Sequence, residues 1–321
     1  MSNFAERPLP VARASAKMAL MLSYRHAFHA GNHADVLKHA TISRIVANLL
    51  SKEKPFSYLD THAGAGIYGL DGEWAQKTNE ATAGILALLD RKDIPVILEP
   101  YIDLCRAFYR DGHRYPGSPE IVRSLARESD RLTLMELHPT EIENLRSNLS
   151  GDPRVHVHHR DGYAGVLALS PPDPRRGFAL VDPSFETVDD YTRTAETLIA
   201  LHRRWPVGIL VLWYPIVGRR EAELYGLKDR FAVSGIPGIL TAELRVKVAG
   251  VDSTPTPETG RDETAETTPD GGYGLIGSGM LIVSPPWNLA DELAEILPWL
   301  AGALGENGNG SYAVEWISPS A

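Results

Sequence analysis

Two segments, Leu180-Val-Asp182-Pro183-Ser184-Phe185 and Ser284-Pro285-Pro286-Trp287, set a polar side chain, proline and an aromatic ring at the end of an apolar run. Those residue types suit one kind of chemistry. An amine on an aromatic ring is a poor nucleophile, because its lone pair is delocalised into the ring. A carboxylate oxygen and the carbonyl of an adjoining proline can each accept one amine hydrogen. That draws the lone pair outward and holds it in line with an electrophile. The aromatic residue can stack on the base. By letter pattern the second segment is the better match. By position the first is better, because Asp182 ends the strand expected beside the glycine turn described next. Asp182, Pro183 and Phe185 are therefore assigned the chemistry. Ser284–Trp287 is read as a structural strand exit that could also line the site.

Asp60-Thr-His62-Ala-Gly64-Ala-Gly66 lies where an apolar run meets a loop. In open α/β sheets that position binds nucleotide-like ligands. Gly64-Ala-Gly66-Ile-Tyr-Gly69 satisfies the dinucleotide fingerprint by letters. The context does not, since Gly69, Gly72 and polar residues follow where a helix should open to hold a pyrophosphate. S-adenosylmethionine, an adenosine joined to an amino acid, needs no anion cradle and suits the region better. Glu136, at the end of the next strand, can accept both ribose hydroxyls. Asp161-Gly162, after the strand that follows, can meet the adenine edge. Any one of these acids alone reads best as a helix cap or a solvated loop residue. Asp60, Glu136, Asp161 and Asp182 ending strands in sequence favour a site.

Residues 24–39 hold four of the eleven histidines, with Tyr24, Arg25 and Lys38. A metal site is the sharp alternative, but Gly31-Asn32 breaks the helical spacing and no catalytic zinc motif is present. No metal is expected. Cations, an aromatic ring and hydrogen-bond donors suit RNA phosphates and an anionic group such as a methionine carboxylate. His156-Val-His158-His159 alternates as on a strand and reads as structural.

The elements that must position these residues follow from periodicity. Residues 33–51 recur as a helix. Strands are predicted at 55–60, 131–137, 154–159, 177–182, 207–214, 239–248 and 274–283. Helices are predicted at about 80–92, 95–110, 139–149, 161–169, 189–204 and 219–234. Strands alternating with helices make a mainly parallel, doubly wound α/β sheet. Residues 67–115 read as a small helical insertion after the first strand. Residues 1–20 read as a disordered leader, and 250–272 as a flexible acidic loop. The domain is expected to span 21–321.

The chain has 321 residues, 43% of them hydrophobic, which allows a sizeable core and excludes disorder throughout. Its single cysteine, Cys105, excludes an intrachain disulfide and fits a reducing compartment. No apolar run is long enough to span a bilayer. The net charge of −9 argues at first against a nucleic-acid partner. That argument fails on inspection. Residues 250–272 carry six acids and one arginine, whereas 13–44 carry five cations and only Asp35. Affinity for RNA would come from a local basic face.

Together the landmarks resemble the bacterial 23S ribosomal RNA adenine-N6 methyltransferases of the RlmJ type. They are residues 22–39, Tyr58–Gly66, Tyr115-Pro-Gly-Ser118-Pro119, Glu136-Leu-His-Pro139, Asp161-Gly162, Leu212-Trp-Tyr-Pro215 and the Pro-Pro-Trp near the end. The resemblance runs from Met21 to about Pro319. It implies a Rossmann-like class I S-adenosylmethionine-dependent methyltransferase that acts on N6 of an adenine in 23S ribosomal RNA. It implies cofactor contacts from Lys38, His39, His62, Ser118, Glu136, Asp161 and Gly162, to which Gly64 of the glycine turn and Asp182 are added as expected contacts. It implies Asp182 acting on the target amine and Tyr24 near the RNA, where Arg25 of the same cationic segment is also expected. A cytoplasmic monomer is expected. The chain departs from the family pattern at Ser184 and Phe185, where a second proline and a tyrosine are usual. An RNA-binding homologue with impaired turnover is therefore an alternative. A dinucleotide-dependent oxidoreductase, resting on glycine spacing alone, is a remote one.

Overall fold

The computed structural model describes residues 29–71, 80–247 and 275–319. In chain order the elements are α1 (His33–Leu50), β1 (Ser57–Asp60), β2 (Ile67–Gly69), α2 (Leu86–Leu89), α3 (Glu99–Arg110), β3 (Arg114–Pro116), α4 (Ser118–Leu125), β4 (Arg131–Glu136), α5 (Pro139–Asn148), β5 (Val155–His159), α6 (Gly162–Ala168), β6 (Gly177–Val181), α7 (Val188–Arg204), β7 (Ile209–Val217), α8 (Glu221–Ala232), β8 (Ile239–Arg245), β9 (Leu275–Val283), α9 (Leu289–Leu304) and β10 (Ser311–Ser318). The predicted leader, the acidic loop at 250–272, and Tyr24 and Arg25 lie outside the described residues.

Eight strands form one sheet in the order β10-β8-β9-β7-β6-β1-β4-β5, and β2 pairs with β3 apart from it. β5, β4, β1, β6 and β7 run parallel. β9 runs against both neighbours, and β10 against β8. The doubly wound α/β expectation holds for the five parallel strands, and the other half of the sheet is antiparallel.

Strand side chains alternate between faces, and the core divides accordingly. Tyr58, Leu132, Leu134, Phe178, Leu180 and Val211 pack with α1, α3, α4 and α9 on one face. Leu59, Met135, Ala179, Val181, Leu210 and Leu212 pack with α6, α7 and α8 on the other. Both faces are covered, so the parallel strands read as near-continuous apolar runs. A helix joins most successive parallel strands because such a pair needs a crossover.

The predicted helix at 80–92 shrinks to the four-residue α2, because Gly84 must approach the start of α1. A Cβ there would meet the Gly31 carbonyl oxygen at 2.1 Å. Ser284–Trp287, at the far end of the chain and set aside in favour of Asp182, leaves a strand that is not peripheral. β9 lies inside the sheet, between β7 and β8. What removes the segment from the site is direction. Val283 pairs with Leu210 and Ile239, near the starts of their strands, so β9 exits at the opposite edge of the sheet from Asp182.

Candidate functional site

Residues at or just beyond the carboxyl ends of β1, β4, β5, β6 and β7 line one cavity of about 940 Å³, and the start of α1 forms a further wall. It opens where the chain, having added β4 and β5 on one side of β1, places β6 on the other. Such a switch point leaves a crevice outside the sheet.

The turn after β1 depends on two glycines. Gly64 and Gly66 have φ of +57° and +75°, where a Cβ is strained. A Cβ on Gly64 would also meet the Tyr68 hydroxyl at 2.0 Å. The next element is a strand, β2, so no helix N-terminus stands ready for a pyrophosphate. Instead the Gly64 N–H donates to Glu136 Oε2 at 2.8 Å, and the His138 N–H donates to Oε1 at 2.7 Å. Both oxygens are thereby fixed, and each has a second lone pair for a ligand hydroxyl.

Asp182, Pro183, Ser184 and Phe185 all line the cavity. Phe185 has a φ of +51°, unusual for an aromatic residue and costing about 1–2 kcal/mol. Its ring lies 4.7 Å from Tyr191 and edge-on to Trp213 at 6.1 Å. Asp182 Oδ2 accepts from Lys38 Nζ at 2.6 Å, and the same ammonium lies 2.8 Å from Asp35 Oδ1. Burial works against a charge on Lys38, but Asp182 and Asp35 outweigh it and hold the lysine protonated. α1 sets that lysine in place. Asn32 caps it, accepting from the Ala34 and Asp35 N–H groups, and Asp35 accepts from the Gly31 N–H.

Behind this wall Asp60 is completely buried. It accepts from the Tyr58 hydroxyl at 2.5 Å, the Ser118 hydroxyl at 2.7 Å and the His62 N–H at 3.1 Å. Burial nevertheless raises its pKa to about 6. His39 bonds through Nδ1 to the Tyr115 hydroxyl at 2.5 Å. His62 stands edge-on to Tyr163 at 5.3 Å, and burial lowers its pKa, which favours the neutral ring.

Of the predicted cofactor residues, Lys38, His39, His62, Gly64, Ser118, Glu136 and Asp182 meet in the cavity, and Asp161 and Gly162 do not line it. Asp161 caps α6, accepting from the Ala164 N–H at 2.8 Å, and pairs with Arg193 at 2.9 Å. Gly162 lets α6 approach β1, since a Cβ there would meet the Thr61 carbonyl oxygen at 2.0 Å. Asp35, Glu80 and Trp213, none of them singled out from the sequence for a role, also line the cavity. Glu80 pairs with His29 at 3.0 Å and accepts from Asn32 at 2.8 Å. A clue lay in the unusual density of polar residues between Asn32 and His39, and in a tryptophan directly after the apolar run Ile209–Leu212. Among the described residues no group of three or more His, Cys, Asp or Glu is placed to hold a metal ion. Also among them, no helix is long and apolar enough to cross a membrane.

The family model described as "RsmJ: Ribosomal RNA large subunit methyltransferase D, RlmJ" matches residues 53–318. The curated Escherichia coli (strain K12) protein "Ribosomal RNA large subunit methyltransferase J" is 42% identical over 301 residues, covering 93% of this chain and all of that one. Its Haemophilus influenzae counterpart of the same description is 39% identical over 305 residues, with the same coverage. A crystal structure of a Legionella pneumophila protein superposes with a TM-score of 0.75. It is 30% identical and covers 89% of this chain and 98% of that one.

Proposed function

The chain belongs to the RlmJ family of ribosomal RNA large subunit methyltransferases, and from that premise we propose that it methylates N6 of an adenine in 23S ribosomal RNA. The fold is the Rossmann-like one of class I methyltransferases. The observation that carries the reading is the meeting, in one cavity, of the Asp182–Phe185 turn with the Gly64–Glu136 corner.

The residues fit S-adenosylmethionine. The cavity can take a nucleoside and an amino acid together. Glu136 has two anchored oxygens for a ribose diol. The left-handed Gly64 lets the backbone come close. Lys38, His39, His62, Ser118 and Asp182 complete the walls, and Asp161 with Gly162 act one layer back by fixing α6 against β1. When bound, S-adenosylmethionine supplies an electrophilic methyl on a sulfonium centre.

The chain's part is orientation. Asp182 and the Pro183 carbonyl accept the two hydrogens of the adenine amine and turn its lone pair toward the methyl. Lys38 fixes the Asp182 carboxylate in place through its 2.6 Å contact. Phe185 offers a ring to the base once it has left its helix. The proton that the methylated amine must lose can pass to Asp182. Tyr24 and Arg25, which precede α1 in sequence and lie outside the described residues, are proposed to contact the RNA.

The test is methyl transfer from labelled S-adenosylmethionine to unmodified 23S RNA. The expected product is N6-methyladenosine. Protein that binds the cofactor and leaves adenine unlabelled would defeat the proposal.

A further inference from the structure

We propose that Trp213 reads the target base, its indole N–H donating to a ring nitrogen next to the amine that Asp182 holds. The inference rests on the adenine reading above and names a residue that contacts the base edge.

Three observations carry it. The first is register. Val181 of β6 pairs with Leu212 of β7 in parallel, so one step further along sets Trp213 beside Asp182. Side chains alternate along both strands, so the two residues share a face. The second is location. Both line the same cavity, and the Trp213 ring meets Phe185 edge to face at 6.1 Å. The third is an unmade bond. The Trp213 indole nitrogen is screened from solvent and has no hydrogen-bond partner among the described residues. An indole N–H only donates, and leaving a buried donor unpaired costs about 1–3 kcal/mol. Such a group in a native site calls for a missing partner.

Base chemistry says which partner. In adenine the exocyclic amine is flanked by N1 and N7, both acceptors. In guanine the amine lies between N3, an acceptor, and N1–H, a donor, and the other edge shows a carbonyl. A carboxylate oxygen beside an N–H donor therefore matches an amine beside a bare ring nitrogen. It is the two-atom pattern by which an asparagine side chain reads adenine, assembled here from two neighbouring strands. An N–H placed there disfavours uracil, which has no amine, and guanine presented by its N1–H side. The base enters with Phe185 on its face and the Asp182–Trp213 pair on its edge.

The experiment uses the full-length protein with S-adenosylhomocysteine and ¹⁵N-labelled tryptophan. One indole N–H resonance should disappear in Trp213→Phe. In the wild type that resonance should move downfield on adding adenosine 5′-monophosphate. It should stay in place with either 1-deaza- or 7-deaza-adenosine monophosphate, whichever lacks the nitrogen used. On 23S RNA, Trp213→Phe should lose about ten- to a hundredfold in kcat/KM with cofactor affinity unchanged. If the resonance ignores adenosine monophosphate at millimolar concentration, or follows all three nucleotides alike, the inference is overturned, even if the RNA is methylated. If the resonance discriminates but no adenine in the RNA is methylated, the contact stands and the adenine-methylation reading falls.

Discussion

Lys38 Nζ lies 2.6 Å from Asp182 Oδ2, joining α1 to the strand end proposed to carry the chemistry across 144 positions of sequence. The same ammonium is shared with Asp35, so Asp182 can be removed without leaving the lysine uncompensated. Asp182→Ala should therefore bind S-adenosylmethionine within about threefold of wild type and lose at least ~10²-fold in turnover. Calorimetry beside a transfer assay separates the two, and equal loss of both would make Asp182 merely structural.

Lys38→Met removes the shared cation and leaves two carboxylates facing each other in a buried wall. Breaking a buried pair in this way costs roughly 3–5 kcal/mol. Urea denaturation should show a lower midpoint, and the remaining folded protein should be inactive. Adding Asp35→Asn should recover part of the stability and none of the turnover.

Glu136→Ala removes the acceptor that fixes the Gly64 and His138 N–H groups and, in our reading, the ribose. Two charge-assisted hydrogen bonds at ~1.5–3 kcal/mol each are at stake. S-adenosylhomocysteine affinity should fall more than about tenfold. An unchanged Kd would remove Glu136 from the cofactor site.

Asp60 supplies a pH signature. Burial raises its folded pKa to about 6, above the usual carboxylate value of ~3.9. The folded state therefore binds this proton more tightly than the unfolded chain. Its contribution to stability is greatest at low pH and is lost as pH rises through about 6. In Asp60→Asn that dependence is absent. The stability of wild type relative to the variant should fall by roughly 2 kcal/mol between pH 4 and pH 7, and stay level above. Denaturation curves across that range check it, and a flat difference would show that Asp60 titrates normally.

Two glycines of similar appearance should respond in opposite directions. A methyl on Gly162 runs into the Thr61 backbone, whereas one on Gly226, inside α8, meets nothing within 4 Å. Gly162→Ala should cost about 1–3 kcal/mol or more, and Gly226→Ala should gain roughly 0.5–1 kcal/mol. Midpoint shifts of the same sign would contradict that geometry.

The parallel strands were legible in the sequence because each is an apolar run ended by a polar residue, and burial on both faces imposes that pattern. Asp60, Glu136 and Asp182 stood out for the same reason. Other parts carried no such signal. β2 and β3 have three residues each, too few for a period. α9 contains Pro298 within its helical pattern. β10 is an edge strand with mostly outward-facing side chains, so its alternation is shallow. Strand direction cannot be read from composition, which is why Ser284–Trp287 competed with Asp182–Phe185 at all. The Lys38–Asp182 contact depends on where α1 crosses the sheet, and tertiary packing alone sets that.

The reversed course of β9 gives the molecule a working end and a handling end. Trp287, just past that strand, is 88% exposed, and the chain's one cysteine, Cys105, is buried. A cysteine introduced at 287 would be the accessible thiol among the described residues, on the sheet edge away from the cavity. A dye or surface tether attached there would report on RNA capture without standing in its way.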